Sequence, residues 1–265
     1  MQMERYGSLA SQSATANGWR MHARVATAVL SSVRLPVVLI HGLSVSSRYL
    51  MPTATRLAAN HHVYMPDLPG FGRSEQPPGA LTIHELADTL AAWMQGMQLE
   101  QVTLLGHSFG CQILAELALR HPSRLAQAIF VAPTIEPQGR MANRQIVRLL
   151  RNAWREPLDL LPLVLSDYYR AGLARTIRTL RYALQDVIES KLPQVQVPSL
   201  VVRGARDPMV SPQWAEAVVR MLPRSRLVVM PGAAHAVPYS ASVELVQAIE
   251  AFLTMVPGRT PSPSV

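Results

Sequence analysis

Short apolar runs alternate with amphipathic stretches along most of the chain. Leu35 to Ile40, His61 to Met65, Val102 to Leu105, Ala126 to Val131, Ser199 to Val202 and Arg226 to Met230 each read as a strand. The continuous run at 35–40 is what a strand buried on both faces requires. Trp19 to Leu30 alternates weakly and predicts an early strand or hairpin. Helices are predicted in the intervals. One lies around Ser47–Asn60. Another opens at Thr82-Ile83-His84-Glu85, which has capping-box spacing, and continues through Leu86, Leu90, Trp93 and Met97. A third runs from Cys111 to Arg120 and stops at His121-Pro122. Ser211-Pro212 starts a fourth, with serine as cap and proline in the first turn, and Val243 to Phe252 closes the series. This alternation predicts an α/β fold: a mostly parallel, doubly wound sheet with helices on both faces.

Residues 134–196 break the rhythm. Three helical patterns follow one another without a strand. In the first, Arg144, Arg148, Arg151 and Arg155 share one face, and Val147, Leu150 and Trp154 lie on another. In the last, Leu173, Ile177, Leu180, Leu184 and Val187 form a seam. The expected organisation is a flexible tail over 1–18, a core over 19–133 and 197–254, an all-helical insertion over 134–196, and a Pro/Ser-rich flexible tail over 255–265.

Composition narrows the class. Of the 265 residues, 49% are hydrophobic and 16% charged, ample for a sizeable core. No stretch reaches the roughly 18 apolar residues of a membrane span, and Met1 to Trp19 has no apolar core of a secretory signal. Cys111 is the one cysteine, so no intrachain disulfide is available. These features predict a cytoplasmic protein without a membrane partner. The net charge is +8, carried by arginines scattered along the chain with no basic tail and no aromatic-interleaved run. Nucleic-acid binding is therefore not expected. His61 and His62 are neighbours in a strand and point to opposite faces, so they are no metal pair. No zinc-spaced Cys/His set and no glycine-rich phosphate loop is present, and neither metal nor cofactor is expected.

The chemistry gathers at Gly106-His107-Ser108-Phe109-Gly110, between a strand and a helix. That is the context of a nucleophile elbow, in which a sharp turn lifts the serine off the sheet edge. Serine needs a neighbouring base, and the base needs a third group to fix its tautomer. Asp207 follows the strand at 199–202, and His235 follows the strand at 226–230. Loops beyond the strand C-termini of a parallel sheet share one edge, so Ser108, Asp207 and His235 converge. The oxyanion of an acyl-transfer intermediate needs N–H donors. The residue after the nucleophile, Phe109, supplies one, and Leu43 in the loop His41-Gly42-Leu43-Ser44 supplies the other. Ser44 has two readings, a hydroxyl added near the oxyanion or a cap for the following helix, and the cap is favoured.

Pro36 to Gly42, Asp67-Leu-Pro-Gly-Phe-Gly-Arg-Ser74, Gly106 to Gly110, Gly204-Ala-Arg-Asp207 and Gly232-Ala-Ala-His235 together resemble the α/β-hydrolase superfamily. The resemblance runs from about residue 19 to 254. It points to the compact branch with a helical cap, which includes carboxylesterases, carbon–carbon bond hydrolases and cofactor-free haloperoxidases. It implies that residues 134–196 are the cap. Epoxide hydrolases and haloalkane dehalogenases of this fold place aspartate at the elbow, where this chain has Ser108. Without that aspartate, Tyr168 and Tyr169 read as cap packing or pocket lining. Carbon–carbon bond hydrolases usually carry tryptophan after the catalytic histidine and a glycine-rich oxyanion loop. Here the positions read Ala236 and Leu43-Ser44-Val45.

The expected function is a cofactor-independent serine hydrolase acting on a small carboxylic ester. Ser108 is the nucleophile, His235 the base and Asp207 its partner. Carbon–carbon cleavage of a vinylogous diketone, thioester cleavage, and a ligand-binding receptor on the same fold are the alternatives. The natural substrate and the oligomeric state stay open.

Overall fold

The apolar runs pair into one sheet. The computed structural model describes residues 9–28 and 34–255. Eight strands are ordered β1-β2-β4-β3-β5-β6-β7-β8. They are β1 (Leu9–Ala16), β2 (Trp19–Ala26), β3 (Val37–Ile40), β4 (Val63–Pro66), β5 (Val102–His107), β6 (Leu125–Val131), β7 (Ser199–Gly204) and β8 (Ser225–Met230). β1 and β2 are antiparallel to their neighbours, and every other pair is parallel. The helices are α1 (Met51–Leu57), α2 (Ile83–Gly96), α3 (Phe109–Arg120), α4 (Ala142–Ala153), α5 (Leu161–Ala171), α6 (Leu173–Gln185), α7 (Ile188–Lys191), α8 (Pro212–Met221), α9 (Val237–Ser240) and α10 (Ser242–Met255).

Alternation along the strands divides the core between the two faces. Val38, Ile40, Leu104 and Phe130 point into the layer with α2, α3 and α8. Val37, Leu39, Leu105 and Ile129 point into the layer with α1 and α10. The capping box at Thr82 and Glu85 forms as its spacing predicts, and Ser211 caps α8 through the Trp214 N–H.

The expected N-terminal tail requires correction. Residues 9–16 form β1 and pair along their full length with β2. Asn17 (φ 48°) and Gly18 (φ 84°) make the two-residue turn between them, a turn whose backbone twist suits a hairpin. β1 is an edge strand of small and polar residues, so it lacks the apolar alternation that marks a half-buried strand. Residues 1–8 lie outside the described residues. At the other end α10 runs through Met255, one residue past the expected core boundary. The remainder of the expected tail, 256–265, lies outside the described residues.

Between β6 and β7 the described elements are all helical: α4 to α7 with short 3-10 turns. This segment is tied to the core by polar contacts. Asp167 on α5 is buried and accepts from the Ser46 N–H (2.9 Å) and hydroxyl (2.6 Å). The Ser44 hydroxyl donates to Thr176 on α6 (2.9 Å). Ser44 therefore ties the loop to the helical segment, and the capping hydroxyl of the following 3-10 turn belongs to Ser46. The seam expected over Leu173–Val187 is only partly buried. Leu180 and Leu184 pack inward, whereas Leu173 and Ile177 are exposed.

The topology sets the site. The chain leaves β3 for β4 on one side and returns to β5 on the other. The loops after β3 and β5 therefore diverge at a crevice over the sheet edge, the place where open α/β sheets bind ligands.

Candidate active site

Ser108 sits between β5 and α3 with φ 54° and ψ −116°, a region that side chains rarely occupy and that costs about 1–3 kcal/mol. The flanking glycines are required by space. A Cβ on Gly106 would lie 2.5 Å from the Gly110 carbonyl oxygen, and one on Gly110 would lie 2.7 Å from that of Ile40. The Ser108 N–H donates to the Val131 carbonyl (2.9 Å), which holds the turn against β6.

The three expected side chains meet. The Ser108 hydroxyl donates to His235 Nε2 (2.9 Å), and His235 Nδ1–H donates to Asp207 Oδ2 (2.9 Å). Asp207 Oδ1 accepts from the N–H groups of Met209 (2.7 Å) and Val210 (3.3 Å). Burial alone pushes the Asp207 carboxyl up. The adjacent His235 and these N–H donors outweigh burial and hold it below the usual carboxylate range. For His235 burial works downward, but the Asp207 carboxylate, with a smaller contribution from Glu156, leaves the imidazole above its usual value. The Thr134 hydroxyl lies 3.3 Å from Ser108 Oγ. Since the serine proton is directed at His235, Thr134 is placed to donate to the serine oxygen.

Leu43 and Phe109 both line a cavity of about 280 Å³ above Ser108. Neither backbone N–H has a recorded protein acceptor among the described residues. The Gly42 N–H is committed elsewhere, donating to the Tyr49 hydroxyl (2.9 Å). The cavity walls are mainly apolar and come largely from α4 to α6. Tyr168 faces the cavity, whereas Tyr169 is exposed. No group of three or more His, Cys, Asp or Glu able to hold a metal ion occurs among the described residues. Cys111 is buried beside the elbow, its Sγ 3.0 Å from the Gly106 carbonyl, and burial pushes its thiol well up, away from thiolate chemistry.

Several contacts around the candidate site were invisible in the linear pattern. His107, inside the motif, is buried, and its imidazole is pushed down to about 3, mainly by burial and then by His235. It is neutral, with Nε2–H donating to the His235 carbonyl (2.9 Å) and Nδ1 accepting from Tyr49 (2.6 Å). A hydrogen-bonded path thus runs from Gly42 through Tyr49 and His107 to the loop bearing His235. On the other side, Asn152 Oδ1 accepts from the His235 N–H (3.3 Å), and Glu156 Oε1 accepts from the Ala236 N–H (2.7 Å). These partners lie 58 to 128 positions apart (Tyr49, His107, His235) or about 80 apart (Asn152, Glu156). Only His107, through its place in the motif, carried a local signal.

Tyr49→Phe removes one hydroxyl and leaves the Gly42 N–H and His107 Nδ1 buried without partners. The expected cost is about 1–3 kcal/mol of stability, read by urea unfolding.

The sequence pattern of the alpha/beta hydrolase family matches residues 37–248. Abhydrolase domain-containing protein abhd-5.2 of Caenorhabditis elegans is 36% identical over 104 residues, 38% of this chain and 23% of that one. Esterase YbfF of Escherichia coli (strain K12) is 22% identical over 253 residues, 88% of this chain and 99% of its own. An esterase from Exiguobacterium antarcticum shares the fold, with a TM-score of 0.79 at 18% identity over 92% of this chain and 100% of that one.

Proposed function

The chain belongs to the alpha/beta hydrolase family, and on that premise we propose that it is a cofactor-independent serine hydrolase cleaving carboxylic esters through an acyl-enzyme. The observation that carries this reading is the unbroken line of two 2.9 Å hydrogen bonds from Ser108 to His235 to Asp207 at the floor of the cavity. A protein that only bound a ligand would have no use for a serine held in strained backbone against a base with its own carboxylate.

Ser108 Oγ attacks the ester carbonyl carbon as its proton passes to His235 Nε2. Asp207 holds the imidazolium and its orientation. The carbonyl oxygen becomes an oxyanion between the N–H groups of Leu43 and Phe109, at the N-terminus of α3 where partial positive charge favours it. The intermediate collapses, the bond to the alcohol oxygen breaks, and His235 returns the proton to that alcohol. Water then attacks the acyl-enzyme with His235 as base, releasing the acid and restoring the Ser108 hydroxyl. The helical segment from 134 to 196 acts as the cap. It supplies apolar walls and so favours an apolar acyl group.

A series of p-nitrophenyl esters from acetate to laurate tests this. Turnover of the esters, with kcat/KM rising from acetate to the medium chains, is expected. Turnover of thioesters or of a vinylogous diketone, with no ester cleaved, would refute the ester assignment.

A further inference from the structure

Helix α4 is amphipathic in the reverse of the usual sense. Its two buried residues are polar, Gln145 and Asn152. Gln145 donates to the Gly139 carbonyl (2.6 Å), and Asn152 accepts from the His235 N–H. Its apolar stripe faces outward: Ile146, Leu149 and Leu150 are exposed, and Trp154 at its end is 91% exposed. A surface helix ordinarily buries that stripe against the core. Along this stripe of α4 the hydrophobic effect is therefore only partly satisfied.

This stripe borders the cavity. Ile146 and Leu149 line the mouth while remaining exposed, and across it lies Leu158, 86% exposed, also a lining residue. The exposed apolar surface thus runs continuously from outside the molecule to the cavity above Ser108. Contiguous exposed apolar surface of this kind marks an interaction site.

Charge selects the partner. From Ala142 to Asp159 the chain carries Arg144, Arg148, Arg151 and Arg155 against two carboxylates, Glu156, which accepts from the Ala236 N–H, and Asp159, which accepts from the Tyr239 hydroxyl. Arg148 is paired with Glu136. Arg144 and Arg155 are exposed and bond only to backbone carbonyls, and Arg151 is exposed with no recorded partner among the described residues. An outward apolar stripe ending in tryptophan, flanked by arginines, is the pattern of a helix lying in a membrane interface, where tryptophan settles at headgroup level. A second copy fits poorly. A two-fold contact through this face would set the same arginine rows against each other. No described helix is long and apolar enough to cross a membrane; a surface-lying helix needs no such length.

We propose that α4, with the turn at Leu158, docks the protein on an anionic phospholipid bilayer, with the mouth of the cavity against the lipid. Docking itself stands apart from the hydrolase reading. That the docked face feeds an apolar ester from the lipid into the cavity rests on that reading.

The test uses the full chain carrying Ser108→Ala, so that no lipid is consumed, and vesicles of phosphatidylcholine alone or with 30% phosphatidylglycerol. Sedimentation is expected to show at least tenfold tighter binding to the anionic vesicles, weakening as salt is raised. The double variant Leu150→Ser/Trp154→Ser, made in the same background, is expected to lose at least tenfold in affinity, and Arg151→Gln to lose less. With Ser108 present, the double variant should hydrolyse p-nitrophenyl acetate within twofold of the parent, which also shows that it folds. Absence of binding to anionic vesicles, or binding that the double variant leaves unchanged, overturns the proposal. So does self-association that the double variant abolishes without any vesicle binding. Vesicle binding by a protein that cleaves no ester would leave docking standing and remove the ester reading. Ester turnover without vesicle binding would do the reverse.

Discussion

Ser108→Ala is expected to lower kcat for p-nitrophenyl ester hydrolysis by about 10⁵- to 10⁶-fold, the scale of removing a serine nucleophile that acts as a unit with its base. The substitution deletes one oxygen. Its partners are His235 Nε2 and the Thr134 hydroxyl, both at the cavity, where water is available to replace it. The backbone of residue 108 stays held by the Val131 carbonyl and by the tight approach of Gly106 to Gly110. Stability by urea unfolding should therefore change by less than about 1 kcal/mol. A large loss of activity with a large loss of stability would mean that the serine matters to the fold rather than to the chemistry.

Asp207→Asn is expected to be the next most damaging change, with kcat reduced about 10⁴-fold near neutral pH. The neutral amide no longer stabilises the imidazolium, and its NH₂ can hold His235 in the wrong tautomer. The pH profile separates this from a packing effect. In the parent, His235 must be neutral to accept the serine proton, so activity falls as pH drops through the pKa of its imidazole. The Asp207 carboxylate raises that pKa above the ordinary histidine value, placing the acid limb of kcat/KM at correspondingly higher pH. Removing the negative charge lowers the pKa, and the acid limb moves to lower pH. A variant that lost activity with its acid limb unmoved would contradict the assigned pairing.

The meeting of the three candidate residues was largely legible because a parallel sheet does the collecting. Ser108, Asp207 and His235 are far apart in sequence, but each follows a strand whose C-terminal end faces the same crevice. Recognising strands 102–105, 199–202 and 226–230 was enough to bring them together. The strand β1 is not legible in the pattern, for a different reason. Its residues are small and polar, and the pairing depends on the Asn17-Gly18 turn rather than on burial. That dipeptide was the available signal. The supports from Tyr49, Asn152 and Glu156 carried none, since nothing local distinguishes a tyrosine that bonds His107 from one that fills a core.

The helical segment shows where periodicity misleads. Spacing along α4 correctly separates Val147, Leu150 and Trp154 from the arginines, but spacing does not say which face is buried. The edge that turned inward is polar, with Asn152 at the His235 N–H and Gln145 at the Gly139 carbonyl. The same holds for Leu173 and Ile177, which share helical spacing with Leu180 and Leu184 yet stay exposed. Expecting no membrane partner from the lack of a spanning run leaves a surface-lying helix unaddressed.

If Ser108 is a nucleophile activated by His235, it should react with a fluorophosphonate as an ordinary serine does not. Incubation with the reagent followed by peptide mass spectrometry reads this. One adduct per chain, on Ser108, is predicted, and His235→Ala should slow its formation by orders of magnitude. A protein whose Ser108 stays unmodified while folded, or an adduct on another residue, would contradict Ser108 as the nucleophile.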